Sequence, residues 1–229
     1  MHIFIVRHGQ ARSNVSNGDS IPFDPFFEEY EGRDPSLTPL GEMQASMTGF
    51  RLRNFKLDAI YSSPLHRAVS TAAAIAKMQY NDMPVTIMPD LVEHGTYGGD
   101  FHMIPQSMLR KIYKNIIDPG EQTLTGGPRV IIDDSQEERW RRANRVADYI
   151  KGKYTGNENV VLVSSGAFMG ENLVSAFLGM SYDQSRNCVF GSDNACITSL
   201  HFRDGKIIVN TINAVEQQGE AKSLEYLEY

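Results

Sequence analysis

Two cysteines, one tryptophan and no long apolar run leave this 229-residue chain without several devices that tie proteins together or to a membrane. Cys188 and Cys196 are too few for a disulfide framework and sit in no CxxC-like metal spacing. They read as two reduced thiols of a cytoplasmic protein. A charge or a glycine breaks every apolar stretch before membrane-spanning length. The first residues carry no basic segment or cleavage site, so His2-Ile3-Phe4-Ile5-Val6 reads as a buried strand and not as a leader. Repeats and low-complexity segments are missing, and no carboxylate cluster suggests a metal, so no cofactor is expected. Basic charge is also short: 22 Lys and Arg stand against 28 Asp and Glu, a net charge of -6. That balance excludes a nucleic-acid coat and a polybasic membrane-surface binder.

What is present is a chain long enough to bury a core without a disulfide or metal staple. Short Val/Ile-rich runs alternate with longer helical patterns. The runs are Ile3 to Val6, Leu57 to Ser62, Val85 to Met88, Val160 to Ser164, Ile197 to Phe202 and Ile207 to Ile212. Continuous runs suit strands buried on both faces. Helices are expected from Thr38-Pro39, after Ser63-Pro64 to about Gln79, after Asp134-Ser135 to about Lys153, and from Gly166 to a cap at Gly179. The alternation predicts a three-layer α/β/α fold with a mostly parallel sheet and an antiparallel edge, closed by a hairpin at Arg203-Asp204-Gly205-Lys206. One domain over residues 1–229 is expected, with a cap insertion at about 94–133 holding one helix, Pro105 to Ile117, and an acidic tail at 216–229. Residues 15–37 form a long loop whose Phe23, Phe26, Phe27 and Tyr30 either pin it to the core or stack on an organic group.

The chemistry gathers where strands end. Arg7-His8-Gly9 leaves the first strand at the edge where open α/β sheets bind ligands. Its histidine offers a nucleophilic ring nitrogen, its arginine a fork for phosphate oxygens, and its glycine room for close approach. The second strand exits into Ser62-Ser63-Pro64-Leu65-His66-Arg67-Ala68, which sets Arg67 on the first turn of a helix, where an anion also meets free N–H groups. The third exit offers Glu93, and the fourth Ser164-Ser165-Gly166 at another helix start. One such tripeptide is an ordinary polar turn; four exits together outline a phosphate-shaped site.

These boxes resemble the histidine phosphatase superfamily, in its phosphoglycerate-mutase-like branch, over roughly residues 2 to 213. The resemblance rests on Arg7-His8-Gly9 with Asn14, on Leu37-Thr38-Pro39-Leu40-Gly41, and on the Ser62 to Ala68 box, with Asp134-Ser135 opening a helix. It implies a phosphatase that hydrolyses phosphate monoesters through a phosphohistidine at His8, or else a mutase-type phosphoryl transfer. It implies Arg7 and Arg67 as clamps on the phosphoryl oxygens, Asn14 as a further donor and Glu93 as the proton donor to the leaving alcohol. Ser165 and Gly166 complete the phosphate site, and no metal or other cofactor is implied. The expected partner is a small phosphorylated substrate or free phosphate. After Glu93, Gly95 to Gly99 lacks the signature expected of a glycolytic mutase, which favours the phosphatase.

The family's second histidine is replaced here by Ser165, a shorter group without positive charge. A donor lost from such a site costs on the order of 2.7–4 kcal/mol. Three readings stay open: a deliberate substitution that traps a complex, a natural variant of reduced or altered activity, or replacement by another cation such as Arg12 or Arg129. His66 is expected to point outward beside Arg67, and His94 to be structural. The third class of reading is a low-activity phosphate-binding or regulatory module. Arg110-Lys111-Ile112-Tyr113-Lys114 could reach a second anionic group or be a solvated helix face. The acidic total does not oppose an anionic substrate, since residues 216–229 alone hold four glutamates and one lysine, half of the net charge.

Overall fold

A computed structural model describes residues 1–80, 83–93, 104–119, 124–126 and 135–215. His94, Gly95 to Gly99, Arg129, Asp134 and the acidic tail therefore lie outside the described residues, as does most of the expected cap insertion. The described residues build one seven-stranded sheet, in the order β4-β3-β2-β5-β1-β6-β7. The strands are β1 (His2–Arg7), β2 (Ala59–Ser62), β3 (Val85–Ile87), β4 (Ile116–Ile117), β5 (Asn159–Ser164), β6 (Ile197–Arg203) and β7 (Lys206–Ala214). β4, β3, β2, β5 and β1 run parallel, and β6 and β7 add the antiparallel edge.

The continuous apolar runs are explained by two cores, one on each face. In β1, Phe4 and Val6 enter one cluster while Ile3 and Ile5 enter the other. In β5, Val161 and Val163 divide from Val160 and Leu162 in the same way. Each such side chain, fully buried, contributes roughly 1.5–3 kcal/mol. The first face is covered by α1 (Glu28–Glu31), α2 (Pro39–Leu52), α3 (His66–Lys77) and α4 (Gln106–Ile112), and holds the buried Leu52, Ile75 and Leu109. The second is covered by α5 (Gln136–Lys153), α6 (Gly166–Phe168) and α7 (Val174–Phe177), with α8 (Tyr182–Arg186) packed beside α5. A single π turn, Met169–Leu173, joins α6 to α7.

The expected punctuation is in place. Thr38 Oγ1 accepts from Gly41 N at 3.0 Å, and Ser135 caps α5 through Glu138 N. Gly179 takes φ +73° after α7, a left-handed cap that a side chain would strain. At the hairpin, Asp204 (φ +51°) and Gly205 (φ +71°) form the turn whose twist matches the two strands. One element differs: the helix expected to run to Ile117 stops at Ile112. Tyr113 turns extended, and Ile116–Ile117 adds a strand to the sheet edge, too short to show a period in sequence. Ile104, Leu109 and Tyr113 sit in the first-face core, so this part of the expected insertion packs as body and not as a separate lid.

The sheet decides where chemistry can gather. Arg7 pairs with Ser164 and Ser62 with Val163, so β1, β2 and β5 end together. β6 runs the other way and begins there, with Ile197 opposite Val6.

Candidate active site

His8 emerges from β1 into a loop whose shape is enforced by backbone packing. A Cβ on Gly9 would lie 2.3 Å from the Gly41 carbonyl oxygen, and one on Gly41 would lie 1.9 Å from the Gln10 oxygen. The two glycines let the His8 loop and the first turn of α2 touch backbone to backbone. The room at Gly9, expected to serve a ligand, is taken by α2. Thr38 N donates to Gln10 O at 2.9 Å and Arg12 N to Ser36 O at 3.0 Å, so the first two boxes are one construction. Gly9 N in turn donates to Thr71 Oγ1 of α3 at 3.1 Å.

The imidazole held by this frame is 2% exposed. Its Nδ1 lies 2.7 Å from Gly9 O, which can only accept, so Nδ1 carries the proton and Nε2 a lone pair. Arg67 Nε donates to that Nε2 at 3.2 Å. Burial holds the His8 pKa well below its usual 6.5, with Arg67 and then Arg7 pushing the same way and the Gly9 carbonyl opposing them. The ring is thus neutral and oriented, with its Nε2 lone pair turned to the Arg67 guanidinium and able to attack an electrophile once that hydrogen bond is given up.

Arg67 is held on three sides. Besides His8, its Nη2 meets Glu93 Oε2 at 2.5 Å and its Nη1 lies 3.5 Å from Asp34 Oδ1. Asp34 is 1% exposed and accepts the first free N–H of α3, that of His66, at 2.9 and 3.0 Å. Burial raises its carboxyl from the usual 3.8 to about 6, against the pull of Arg67 and of backbone N–H groups. Glu93 follows a turn fixed from α5 and β5. Arg142 Nη1 donates to Val92 O at 2.9 Å, Ser164 Oγ to Leu91 O at 2.7 Å, and Arg145 grips Asp90 through two contacts of 3.2 Å.

The fourth strand end is built more loosely. With the Ser164 hydroxyl spent on Leu91, Ser165 alone offers an oxygen; it is fully buried, and its Oγ has no hydrogen-bond partner. A Cβ on the adjoining Gly166 would lie 2.8 Å from Arg7 Nε, so Gly166 gives the Arg7 side chain its path. Arg7 donates Nη1 to Ser192 O at 2.6 Å, while its Nε is buried without a partner. Burial lowers the pKa of Arg7 from its usual range, with Cys196, Glu93 and Asp193 opposing. Two unpartnered polar atoms thus stand beside the start of α6, a place for an oxyanion to supply the missing partner.

The structure brings Arg7, His8, Arg67, Glu93, Ser165 and Gly166 to one end of the sheet. Asn14 arrives by its turn: Oδ1 accepts from Ala11 N at 2.9 Å and from Asn194 Nδ2 at 3.1 Å, so its oxygen is structural. Arg12, expected as one candidate spare cation, is committed elsewhere. It pairs with Glu31 at 2.6 Å, donates to Gly18 O and lies 4.5 Å over the Phe23 ring. His66 does not point outward. The 15–37 loop folds back over the start of α3, and Phe27 buries the ring at a centroid distance of 4.6 Å. Phe27 thus pins the loop, while Phe26 is half exposed with Lys111 of α4 5.8 Å over it.

Sequence reasoning missed Asp34, Ser192 and Asn194. A signal for the last two existed in Gly191-Ser192-Asp193-Asn194, a polar run just before β6. An antiparallel strand next to β1 must begin where β1 ends, and Asn194 Nδ2 reaches His8 O at 3.4 Å. Among the described residues, no three His, Cys, Asp or Glu side chains gather as metal ligands would, and no helix is long and apolar enough to cross a membrane.

Comparison with known proteins places this geometry in context. The profile of the histidine phosphatase superfamily (branch 1) matches residues 3–215. Phosphoserine phosphatase 1 of Hydrogenobacter thermophilus is 25% identical over 223 residues, covering 95% of this chain and 94% of its own. The uncharacterized phosphatase PhoE of Bacillus subtilis is 28% identical and covers 92% of this chain and 93% of its own. A solved phosphoserine phosphatase of Entamoeba histolytica, in complex with 3-phosphoglyceric acid, shares the fold at a TM-score of 0.58. It is 23% identical and covers 94% of this chain and 98% of its own.

Proposed function

Because the chain belongs to the histidine phosphatase superfamily, branch 1, we propose that it hydrolyses small phosphate monoesters through a phosphohistidine formed on His8. The observation that carries the reading is the ring itself: buried, neutral, with Nδ1–H fixed on Gly9 O and the Nε2 lone pair turned to the Arg67 guanidinium that would also hold the phosphoryl group. Attack forms the Nε2–P bond and breaks the bond to the leaving oxygen. Arg67 and Arg7 hold the non-bridging oxygens, Ser165 Oγ and the N–H groups at Gly166 complete the cradle, and Asn14 adds a donor at the rim. Glu93 gives its proton to the leaving alkoxide, then takes one from the water that attacks phosphohistidine. Charge stabilisation and position carry most of the acceleration in such transfers.

The named relatives support a phosphatase, and phosphoserine, the substrate in two of their names, is an apt first compound to test. The free cysteines Cys188 and Cys196 fit a reducing, cytoplasmic setting. A second reading is favoured by one observation. Ser165 puts an uncharged hydroxyl where the family resemblance calls for a histidine, so the chain would turn over slowly and act chiefly as a phosphate-ligand module. Incubation with p-nitrophenyl phosphate, followed by a search for acid-labile phosphate on His8, separates them. The enzyme reading expects both nitrophenol and label; bound phosphate with neither would leave only the binding module.

A further inference from the structure

As paired with Arg67, Glu93 stands where a general acid cannot act. It is the carboxylate partner of Arg67, at 2.5 Å, and an ion-paired carboxylate has no proton to give. The same guanidinium must serve the phosphoryl group, because its Nε already donates to His8 Nε2 at 3.2 Å, the atom that would bond phosphorus. An oxyanion seated at His8 and Glu93 therefore compete for one cation. We propose that this competition loads the acid: the incoming phosphate dianion displaces Glu93 from Arg67, and Glu93 takes up one proton from solvent as the ligand binds. The proposal rests on the roles given above to His8, Arg67 and Glu93.

The surroundings favour this route. Of the charged groups facing Glu93, Arg67 comes from α3 and Arg7, which feels the Glu93 charge, from β1. Both would turn their charge to the dianion. Asp34, from the 15–37 loop, already lies against Arg67, and Asp193, from the loop before β6, acts on Arg7, so neither cation is free to keep Glu93 as well. His8 is neutral and brings no compensating charge. A carboxylate left beside a dianion, its cation gone, is driven to its neutral form. The Glu93 side chain is 27% exposed, which gives it water to draw from, whereas the Asp34 side chain is fully buried. Because Arg142 holds the Val92 carbonyl and Arg145 the Asp90 carboxylate, the exchange needs only the Glu93 side chain to turn.

The proton balance closes over a cycle. One proton enters Glu93 from solvent on binding and leaves on the product alcohol. A second comes from the attacking water and returns to solvent when phosphate departs and the Arg67–Glu93 pair reforms. The consequence is a ligand affinity that rises as pH falls, by about tenfold per pH unit where uptake is complete.

Calorimetric titration with tungstate tests this, because tungstate stays a dianion near neutral pH and brings no proton change of its own. Run in two buffers of different ionisation heat, the intact protein should take up about one proton per tungstate bound. Glu93→Gln should bind at least as tightly with no uptake and an affinity that no longer follows pH. Tungstate binding without proton uptake would overturn the proposal and leave the site reading standing. Equal uptake by Glu93→Gln would overturn it too, by assigning the proton to His8 or Asp34. A protein that binds no tungstate at all would instead sink the functional reading, and the proposal with it.

Discussion

Two corners of one sheet edge, set side by side by the pairing of β1 with β5, are finished to different degrees. At the His8 corner the polar groups are partnered within the protein: Nδ1 on Gly9, Nε2 on Arg67, and Arg67 on Glu93 and Asp34. At the Ser165 corner, Ser165 Oγ and Arg7 Nε are buried with none. The difference teaches that His8, the proposed nucleophile, is held by the fold, whereas the proposed phosphate cradle would be completed only by what it binds. A buried donor without a partner costs about 1–3 kcal/mol, which an oxyanion there would recover.

The sharpest way to break this contrast is to remove the satisfied corner's centre. His8→Ala should lower turnover of p-nitrophenyl phosphate by on the order of 10⁴-fold or more, read as steady-state kcat/KM, as losses of a nucleophile elsewhere do. The next effect should come from the unfinished corner and run the other way. Ser165→His should raise kcat by about 10²–10³-fold, the worth of one more donor to developing charge. An unchanged or lower kcat would mean that the corner is complete as it stands.

A third effect reads the satisfied corner through pH. Asp34 titrates at about 6 in the folded protein against an ordinary 3.8, so burying its carboxylate opposes folding. Its cost is fully present above pH 6, fades as pH falls through that value and is gone below the ordinary value. That window is worth about 3 kcal/mol at 1.36 kcal/mol per pKa unit. Asp34→Asn lacks this term. Relative to that variant, the wild type should lose stability between about pH 4 and pH 7, measured by urea unfolding. The smallest effect expected is at the frame. Gly9→Ala drives a Cβ to 2.3 Å from the Gly41 oxygen and should cost about 1–3 kcal/mol of stability, seen as a lower urea midpoint.

How much of this was legible depends on how local each feature is. The strands other than β4, the Thr38 and Ser135 caps and the Asp204-Gly205 turn are written within a few residues, and so are the four strand-end boxes. Asp34 was not legible, because its role comes from a loop returning over α3, some thirty residues along the chain at His66. The same fold-back overturned the outward reading of His66, whose solvent side is covered by Phe27. Arg12 looked like a spare cation only because its partner, Glu31, is 19 residues distant. The Gly9–Gly41 contact explains physically why the first two boxes occur together, a link that spacing alone did not reveal.

The central claim is that His8 acts through Nε2 because Nδ1 is committed to Gly9. Phosphorus NMR of the denatured, alkali-quenched phosphoenzyme distinguishes the two phosphohistidine isomers. The account predicts phosphate on Nε2 of His8; phosphate on Nδ1, or on another residue, would contradict it.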